Sequence, residues 1–244
     1  MGNIQRSHFS TCPNYSKRSK LISEPRVKIM IKALLSMLAK NQNFKVLDVG
    51  CSDGYIYRKI SKKYKIFGVD IAENFVREAN RNGLIAKVCD LENEKIPFGD
   101  ESFDIVITGE TIEHIVNTDF FLSEINRVFK KNGRLVLSYP NINTLLGIAM
   151  MIFFDLPPRY SARFRSVHVR DWTKKMVVFA LKEFGFEVDK LTGSGFYLPK
   201  IGFFSFFGLG YFAPRLSYSA IAIATKRKNV MYDDRKITSV ELCR

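Results

Sequence analysis

The nine residues VLDVGCSDG, numbers 46–54, decide how the rest of the chain is interpreted. A short apolar strand runs into a tight turn that contains two glycines. The run Gly50–Gly54 matches the pattern G-x-S-x-G, in which Ser52 would be the nucleophile of a serine hydrolase. The same run also fits a glycine-rich turn that lets the backbone pass close to a nucleotide-like ligand. The two interpretations give Ser52 opposite roles.

Apolar runs and helical patterns alternate on both sides of this stretch. Ser23 is the predicted N-cap of the first helix, and Pro25 falls in its first turn. Gly83 and Gly133 are predicted to end two later helices. We predict strands at 44–49, 65–70, 85–90, 102–108 and 134–140, and helices at 23–40, 55–63, 72–83 and 117–133. This rhythm predicts an α/β fold with a doubly wound, mostly parallel sheet, which binds ligands at the carboxyl ends of its strands.

The alternation of strands and helices stops after Pro140. The sequence pattern predicts three regions, of which the second is the single folded domain. Thr173 is the expected N-cap of a helix at 173–185, followed by strands at 186–191 and 218–225. The regions are a basic N-terminal segment with an amphipathic helix (1–43), a catalytic domain (44–226) with lid insertions at 141–171 and 192–216, and a disordered tail (227–244). Residues 145–220 hold 17 of the 32 aromatic residues. They predict the core of a small lid, an apolar acceptor pocket or a membrane-facing surface.

The formal net charge of +14 is concentrated outside the predicted domain. Residues 1–45 carry nine basic residues and one acid, and residues 226–244 carry six and three. Such flanks are either solvated tails or contacts for an anionic membrane surface or nucleic acid. The four cysteines form no C-x-x-C pair and the N-terminus has no apolar secretory segment, so we expect reduced thiols and a cytoplasmic location.

The hydrolase interpretation of Ser52 is the weaker one. A triad needs a histidine, and only His8, His114 and His168 are present. A nucleophile turn normally follows a central strand, with oxyanion donors on an earlier loop. Here the turn follows the first strand, and no H-G-G-G segment precedes it. Ser52 is therefore expected to be a small residue in a ligand turn.

Asp70 supports a ligand turn. It ends the second predicted strand, 20 residues after Gly50, where a carboxylate accepts both hydroxyls of a ribose. The alternative role for Asp70 is to cap the next helix, and both roles are compatible. A nicotinamide enzyme fits less well, because the third glycine of G-x-G-x-x-G would fall at Tyr55.

Four segments in order resemble the successive motifs of class I S-adenosylmethionine-dependent methyltransferases. They are VLDVGCSDG, VDIAEN, VCDLENEKIPFGDESFDIVITGETIEH and LSEINRVFKKNGRLVLSYPN, within residues 44–192. The resemblance is to the small-molecule branch that includes ubiquinone-pathway O-methyltransferases (the methyltransferase type 11 domain). Ser52 departs from the pattern, since the family usually has glycine there. The resemblance implies a seven-stranded, Rossmann-like sheet whose last strand is antiparallel.

The resemblance also implies how S-adenosylmethionine is bound. Its methionine portion is assigned to Asp48 and to the turn backbone from Gly50 through Ser52 to Gly54. Asp70 would hold the ribose, with Ile71 packed on the adenine. The remaining implied contacts are Asp90 and Leu91 at the adenine edge, and Gly109 near the sulfonium.

The segment Glu110-x-x-Glu113-His114 is expected to be catalytic. His114 is the candidate general base and the two glutamates its neighbours, or they merely orient the loop. In ubiquinone-pathway enzymes a similar cluster is associated with a divalent metal, but we predict no metal site, because the oxygen ligands are not all visible.

The acceptor is expected to be a small or lipid-linked molecule, methylated at oxygen. The N/D/S-P-P-Y/F pattern typical of base-amine methylation is absent after the fourth strand, which disfavours nucleic acid. The alternatives are an RNA or protein methyltransferase and a cofactor-binding protein without catalysis. The run Phe203–Phe207, with the basic flanks, suggests a peripheral membrane protein.

Overall fold

A computed structural model of the chain describes residues 17–60, 64–155, 168–198, 202–204 and 217–233. The helices are α1 (Lys17–Leu38), α2 (Glu73–Arg81), α3 (Thr118–Val128), α4 (Leu145–Phe154) and α5 (Lys174–Glu183). The strands are β1 (Val46–Val49), β2 (Ile66–Asp70), β3 (Ile85–Val88), β4 (Phe103–Gly109), β5 (Phe129–Pro140), β6 (Phe186–Gly193), β7 (Phe196–Leu198), β8 (Gly202–Phe204) and β9 (Ser219–Lys226). In this part of the chain no helix is both long enough and apolar enough to cross a bilayer.

Seven strands form one sheet in the order β3-β2-β1-β4-β5-β9-β6. β1 to β5 run parallel to their neighbours, and β9 runs antiparallel to both β5 and β6. The predicted seven-stranded, mostly parallel α/β sheet with an antiparallel last strand is therefore confirmed. The strand order reverses between β1 and β4, which is the point where such sheets bind ligands.

Helices cover both faces of the sheet. On one face, Val27, Met30 and Leu34 of α1 are buried with Ala79 of α2 against β1 and β4. On the other face, α3 and α5 bury Phe121, Ile125, Val177 and Leu181. The helix of the basic N-terminal segment is thus part of the core, because its apolar side completes one of the two layers.

The helix predicted at 55–63 is wrong for the residues that the structure describes. Only a 3₁₀ turn, Tyr57–Lys59, follows β1. The Lys59 and Ile60 N–H groups donate to carbonyls three residues back, and Ile60 is already extended. Ile56, Tyr57 and Ile60 are buried, so this tight turn lays three apolar side chains on the core. Residues 51–60 therefore contain no α-helix whose N-terminus could face a ligand at the turn after β1.

Two other helix boundaries differ from the prediction. α1 starts at Lys17, so Pro25 lies inside the helix and Ser23 is not its N-cap, because residues 17–22 are good helix formers. α3 ends at Val128, five residues before Gly133. Phe129 is buried and pairs with Phe103 of β4, so residues 129–133 join the sheet instead. Asn117 caps α3, and Thr173 caps α5 as predicted.

The insertions contain regular structure. α4 lies within the predicted 141–171 insertion, and β7 and β8 pair within the 192–216 insertion. The predicted tail starts later than 227, because residues 227–233 pack on the domain. There the Asn126 side chain binds the Lys228 carbonyl and the Val230 N–H. Residues 205–207 of the Phe-rich run, the rest of the tail and the first 16 residues lie outside the described part.

Candidate functional site

A cavity of about 150 Å³ opens at the carboxyl edge of β1, β2 and β4. Of the residues predicted to bind cofactor, it is lined by Gly50, Ser52, Asp70, Ile71, Asp90, Leu91 and Gly109. Of the predicted catalytic residues, Glu110 and His114 line it. Residues that the sequence did not single out complete the wall: Phe75, Glu92, Thr111 and Ile115. Asp48, Gly54 and Glu113 do not line the cavity.

The turn after β1 has little room for side chains. Gly50 has a φ of +77°, and a Cβ there would lie 2.3 Å from Thr111 Oγ1. Ser52 has a φ of +49°, which side-chain-bearing residues rarely adopt. Gly54 also has a positive φ, but it faces Ala79 of α2 and not the cavity. The turn therefore presents backbone to the cavity at Gly50 and packs on a helix at Gly54.

Asp70 joins the turn after β1 to the turn after β2. One carboxylate oxygen accepts the Ser52 N–H at 2.8 Å, and the other accepts the Ala72 N–H at 2.9 Å. Burial raises the pKa of Asp70, and these N–H groups oppose the rise. The Ile71 N–H also acts on this carboxylate, and because a carboxylate has about four acceptor sites, Asp70 retains acceptor capacity for a ligand hydroxyl.

Asp48 lies beneath this turn and is 2% exposed. Its Oδ1 atom has no hydrogen-bond partner among the described residues. Burial raises the pKa of Asp48 to about 7; the nearby Asp70 adds to the rise and Arg26 opposes it. Such a buried carboxylate would be stabilised by a cationic ligand, which is the electrostatic basis for its predicted role.

The loop after β3 is stabilised by hydrogen bonds that its own acidic side chains accept. Asp90 accepts the Glu92 N–H and the Asn93 side-chain amide, both at 3.1 Å. Glu92, which is 8% exposed, accepts the Val116 N–H at 2.9 Å. Glu92 thus ties the Asp90 loop to the loop after β4, so that two walls of the cavity are connected.

Arg26 of α1 reaches the end of β4 and was missed by the sequence analysis. Its Nη1 atom donates to Ser138 Oγ at 2.9 Å, and its Nε lies 3.9 Å from Glu110 Oε1. Arg26 is 8% exposed, and a Cβ at Gly109 would lie 2.9 Å from its guanidinium. Glu110 itself has a φ of +57°. No local pattern distinguishes Arg26 from the surrounding basic residues that face solvent.

Two histidines, His114 and His168, lie close together with one glutamate, Glu113. Glu113 is 1% exposed, with its Oε1 atom 3.8 Å from His114 Nε2. The His168 ring lies 4.8 Å from the His114 ring, nearly perpendicular to it. The Val169 and Arg170 N–H groups donate to the Glu113 carbonyl, which fixes the chain that carries His168.

One ligand atom from each of these three residues lies within 4.8 Å of the others. Two imidazoles and a carboxylate are a donor set that suits a transition metal such as zinc. The sequence predicted neither His168 nor this grouping. The same groups also suit proton transfer, since a carboxylate can orient an imidazole.

This chain is similar in sequence to known methyltransferases. Residues 47–137 match the methyltransferase domain family Methyltransf_11. The ubiquinone biosynthesis O-methyltransferase of Pelagibacter ubique is 25% identical over 166 residues, 64% of this chain and 66% of that protein. Alignments to the first curated relatives cover between 44% and 76% of those proteins' lengths.

Solved methyltransferase structures have the same fold. An S-adenosylmethionine-dependent methyltransferase from Thermotoga maritima superposes with a TM-score of 0.66 at 21% identity, covering 93% of this chain and all of that one. Magnesium protoporphyrin IX methyltransferase from Synechocystis, with bound S-adenosylhomocysteine, has a TM-score of 0.64 at 17% identity and the same coverage.

The residues of the cavity fit S-adenosylmethionine. Gly50 offers bare backbone where a Cβ would collide, and Asp70 and Asp90 end neighbouring strands. The buried Asp48 suits a positively charged ligand part. The geometry of the turn after β1 thus fits the interpretation of Ser52 as a small residue in a ligand turn.

Proposed function

We propose that this chain, whose domain and fold are those of an S-adenosylmethionine-dependent methyltransferase, methylates an oxygen of a small or lipid-linked acceptor. The observation that carries the proposal is the position of His114. Its imidazole lines the cavity together with Gly109 and Glu110. They lie at the end of β4, where the resemblance to class I methyltransferases places the sulfonium.

The chain's residues would hold the two ends of the cofactor differently. Asp70 would accept the ribose hydroxyls, and Asp90 with Leu91 would contact the adenine. Gly50 and Ser52 would present backbone to the methionine portion, above the carboxylate of Asp48. The guanidinium of Arg26 lies next to Glu110 and is the cation best placed to balance negative charge at that end.

The bound cofactor supplies an electrophilic methyl group on a sulfonium. What remains for the protein is to align the acceptor hydroxyl and to remove its proton. His114 is the group that we assign to this proton. Glu113, at 3.8 Å, would orient the imidazole and stabilise its protonated form.

The acceptor class is inferred from the apolar insertion after β5 and from a relative's name. The insertion after β5 brings the fully apolar α4, and the Pelagibacter relative carries the name of a ubiquinone biosynthesis O-methyltransferase. A hydroxyl on an apolar ring fits both observations. RNA and protein are the alternative acceptors, because the basic flanks could bind them.

A transfer assay with isotopically labelled S-adenosylmethionine tests the proposal. The acceptor panel would contain catechols, hydroquinones with and without a prenyl tail, total RNA and a protein extract. We expect label on the phenolic oxygen of a prenylated acceptor. Label in RNA or protein would refute the acceptor class, and tight cofactor binding without any transfer would favour a non-catalytic protein.

A further inference from the structure

Helix α4 differs from every other described helix in having no polar side chain over its ten residues, LLGIAMMIFF. Thr144 caps the start of α4 by accepting the Gly147 N–H at 2.9 Å, and Gly147 is buried. Exposure then rises along the helix. Met151 is 43% exposed, and Ile152, Phe153 and Phe154 are 69%, 76% and 70% exposed.

The exposed residues surround the helix. Successive helical residues point about 100° apart, so four consecutive positions cover the whole circumference. An amphipathic helix on a domain surface would bury at least one of them. A flat protein partner would cover one side and leave the others in water. If an apolar medium surrounds the end of the helix, all four side chains are removed from water.

The sequence that follows α4 is basic, which favours an anionic medium. Between residues 142 and 170 the only acid is Asp155, directly after the helix. The same span has four basic residues, Arg159, Arg163, Arg165 and Arg170. Arginines close to an anionic bilayer surface strengthen binding to it.

We infer that the last turn of α4, Met151–Phe154, inserts into the interfacial region of an anionic bilayer. Four helical residues span about 6 Å, which matches the depth to which interfacial helices enter a membrane. This site is distinct from the Phe203–Phe207 run, which the sequence had suggested and which lies largely outside the described residues.

The inserted helix gives the proposed reaction a route for its acceptor. α4 begins five residues after the end of β5, and the cavity opens at the same carboxyl edge of the sheet. A prenylated acceptor in the bilayer would therefore enter from the side of α4. This consequence rests on the proposed function, whereas bilayer binding itself does not.

Vesicle co-sedimentation with a matched control tests the inference. The full chain is mixed with vesicles of phosphatidylcholine and phosphatidylglycerol in equal parts, or of phosphatidylcholine alone. The test variant is Ile152→Ser/Phe153→Ser. The control is Phe179→Ser, which removes an exposed phenylalanine from the lysine-rich α5 without changing charge. Each variant is first checked for S-adenosylmethionine binding and for its unfolding temperature.

We expect the unaltered chain and Phe179→Ser to sediment with anionic vesicles, and binding to weaken with salt. Ile152→Ser/Phe153→Ser should lower the partition coefficient by about ten- to a hundredfold, because two large apolar side chains no longer leave water. In a Phe153→Trp variant the indole emission should shift to shorter wavelength with vesicles. Trp172, the one native tryptophan, is buried and gives a constant background.

Three results would overturn the inference. One is sedimentation that the double serine variant leaves unchanged, since the basic flanks would then suffice. Another is no sedimentation of a chain that still binds cofactor. The last is a combination of two results: vesicles do not shift the emission of Phe153→Trp, and the double serine variant unfolds at a lower temperature. Together they would mean that other parts of this chain cover α4. Failure of methyl transfer in the panel assay would leave each of these readouts unaffected.

Discussion

The turn after β1 and the loop after β4 both line the cavity, yet they are built differently. The first turn is held by Asp70, 18 residues from Ser52, and both belong to one β-turn-β unit. The second loop depends on Arg26, more than 80 residues before Glu110, and on His168, more than 50 residues after His114. A local pattern thus shapes the cofactor side, and distant parts of the chain complete the reacting side.

The largest expected effect lies in the second loop. His114→Ala should lower turnover by about 10²–10⁴, because the acceptor proton loses its base. Cofactor affinity should change little, because the first turn is untouched. Rates are measured with the acceptor found in the transfer assay, and affinity is measured by titration calorimetry.

Two controls sharpen this prediction. His168→Gln keeps a polar side chain beside His114 and should cost less than His114→Ala if His168 only positions the ring. A chelator should not alter the rate if the three-residue cluster acts in proton transfer. Turnover that survives His114→Ala unchanged would remove His114 from the mechanism.

The second largest effect belongs to the first turn. Asp70→Ala removes a charged acceptor that both turns share, which is worth about 1.5–3 kcal/mol and therefore about ten- to a hundredfold in cofactor affinity. Calorimetry with S-adenosylmethionine measures it. Tight binding by a folded Asp70→Ala variant would contradict the assignment of the ribose site.

The contrast between the two regions explains what the sequence could predict. The sequence could predict that Gly50, Asp70 and Asp90 meet at one edge, because strand ends and turn glycines are local signals, and all three line the cavity. The 55–63 helix was predicted wrongly because burial of Tyr57 and Ile60 selected a tighter turn. Arg26 and His168 were not assigned to the site because nothing near them in sequence marks the contact that tertiary packing creates.

A third prediction concerns Asp48, which lies between the two regions. Its pKa is raised from 3.8 to about 7 by burial, so the neutral form is favoured in the folded protein without cofactor. Because its pKa is higher in the folded protein than in the unfolded chain, Asp48 stabilises the fold below pH 4, and this stabilisation is lost as the pH rises through 7. A cationic cofactor prefers the ionised form. Affinity should therefore fall about tenfold between pH 8 and pH 6, with proton release on binding.

Substitutions test the origin of this pH dependence. In Asp48→Asn the change in affinity between pH 6 and pH 8 should disappear. In Arg26→Met the midpoint should move to higher pH, because Arg26 opposes the rise in the pKa of Asp48. Calorimetry in buffers with different ionisation enthalpies counts the released proton. An unchanged pH profile in Asp48→Asn would assign the titration to another group.

The smallest expected effect is at Ser52, the residue with two conflicting interpretations. Because its φ is +49°, Ser52→Gly should relieve strain and change the free energy of unfolding by no more than about 1 kcal/mol. The N–H that Asp70 accepts is kept, so cofactor affinity should stay within about threefold. Ser52→Val is the opposing variant, since a β-branched residue at this φ should destabilise the turn and weaken binding. Calorimetry and thermal unfolding measure both changes. A nucleophilic serine would instead make Ser52→Gly inactive while it still bound the cofactor.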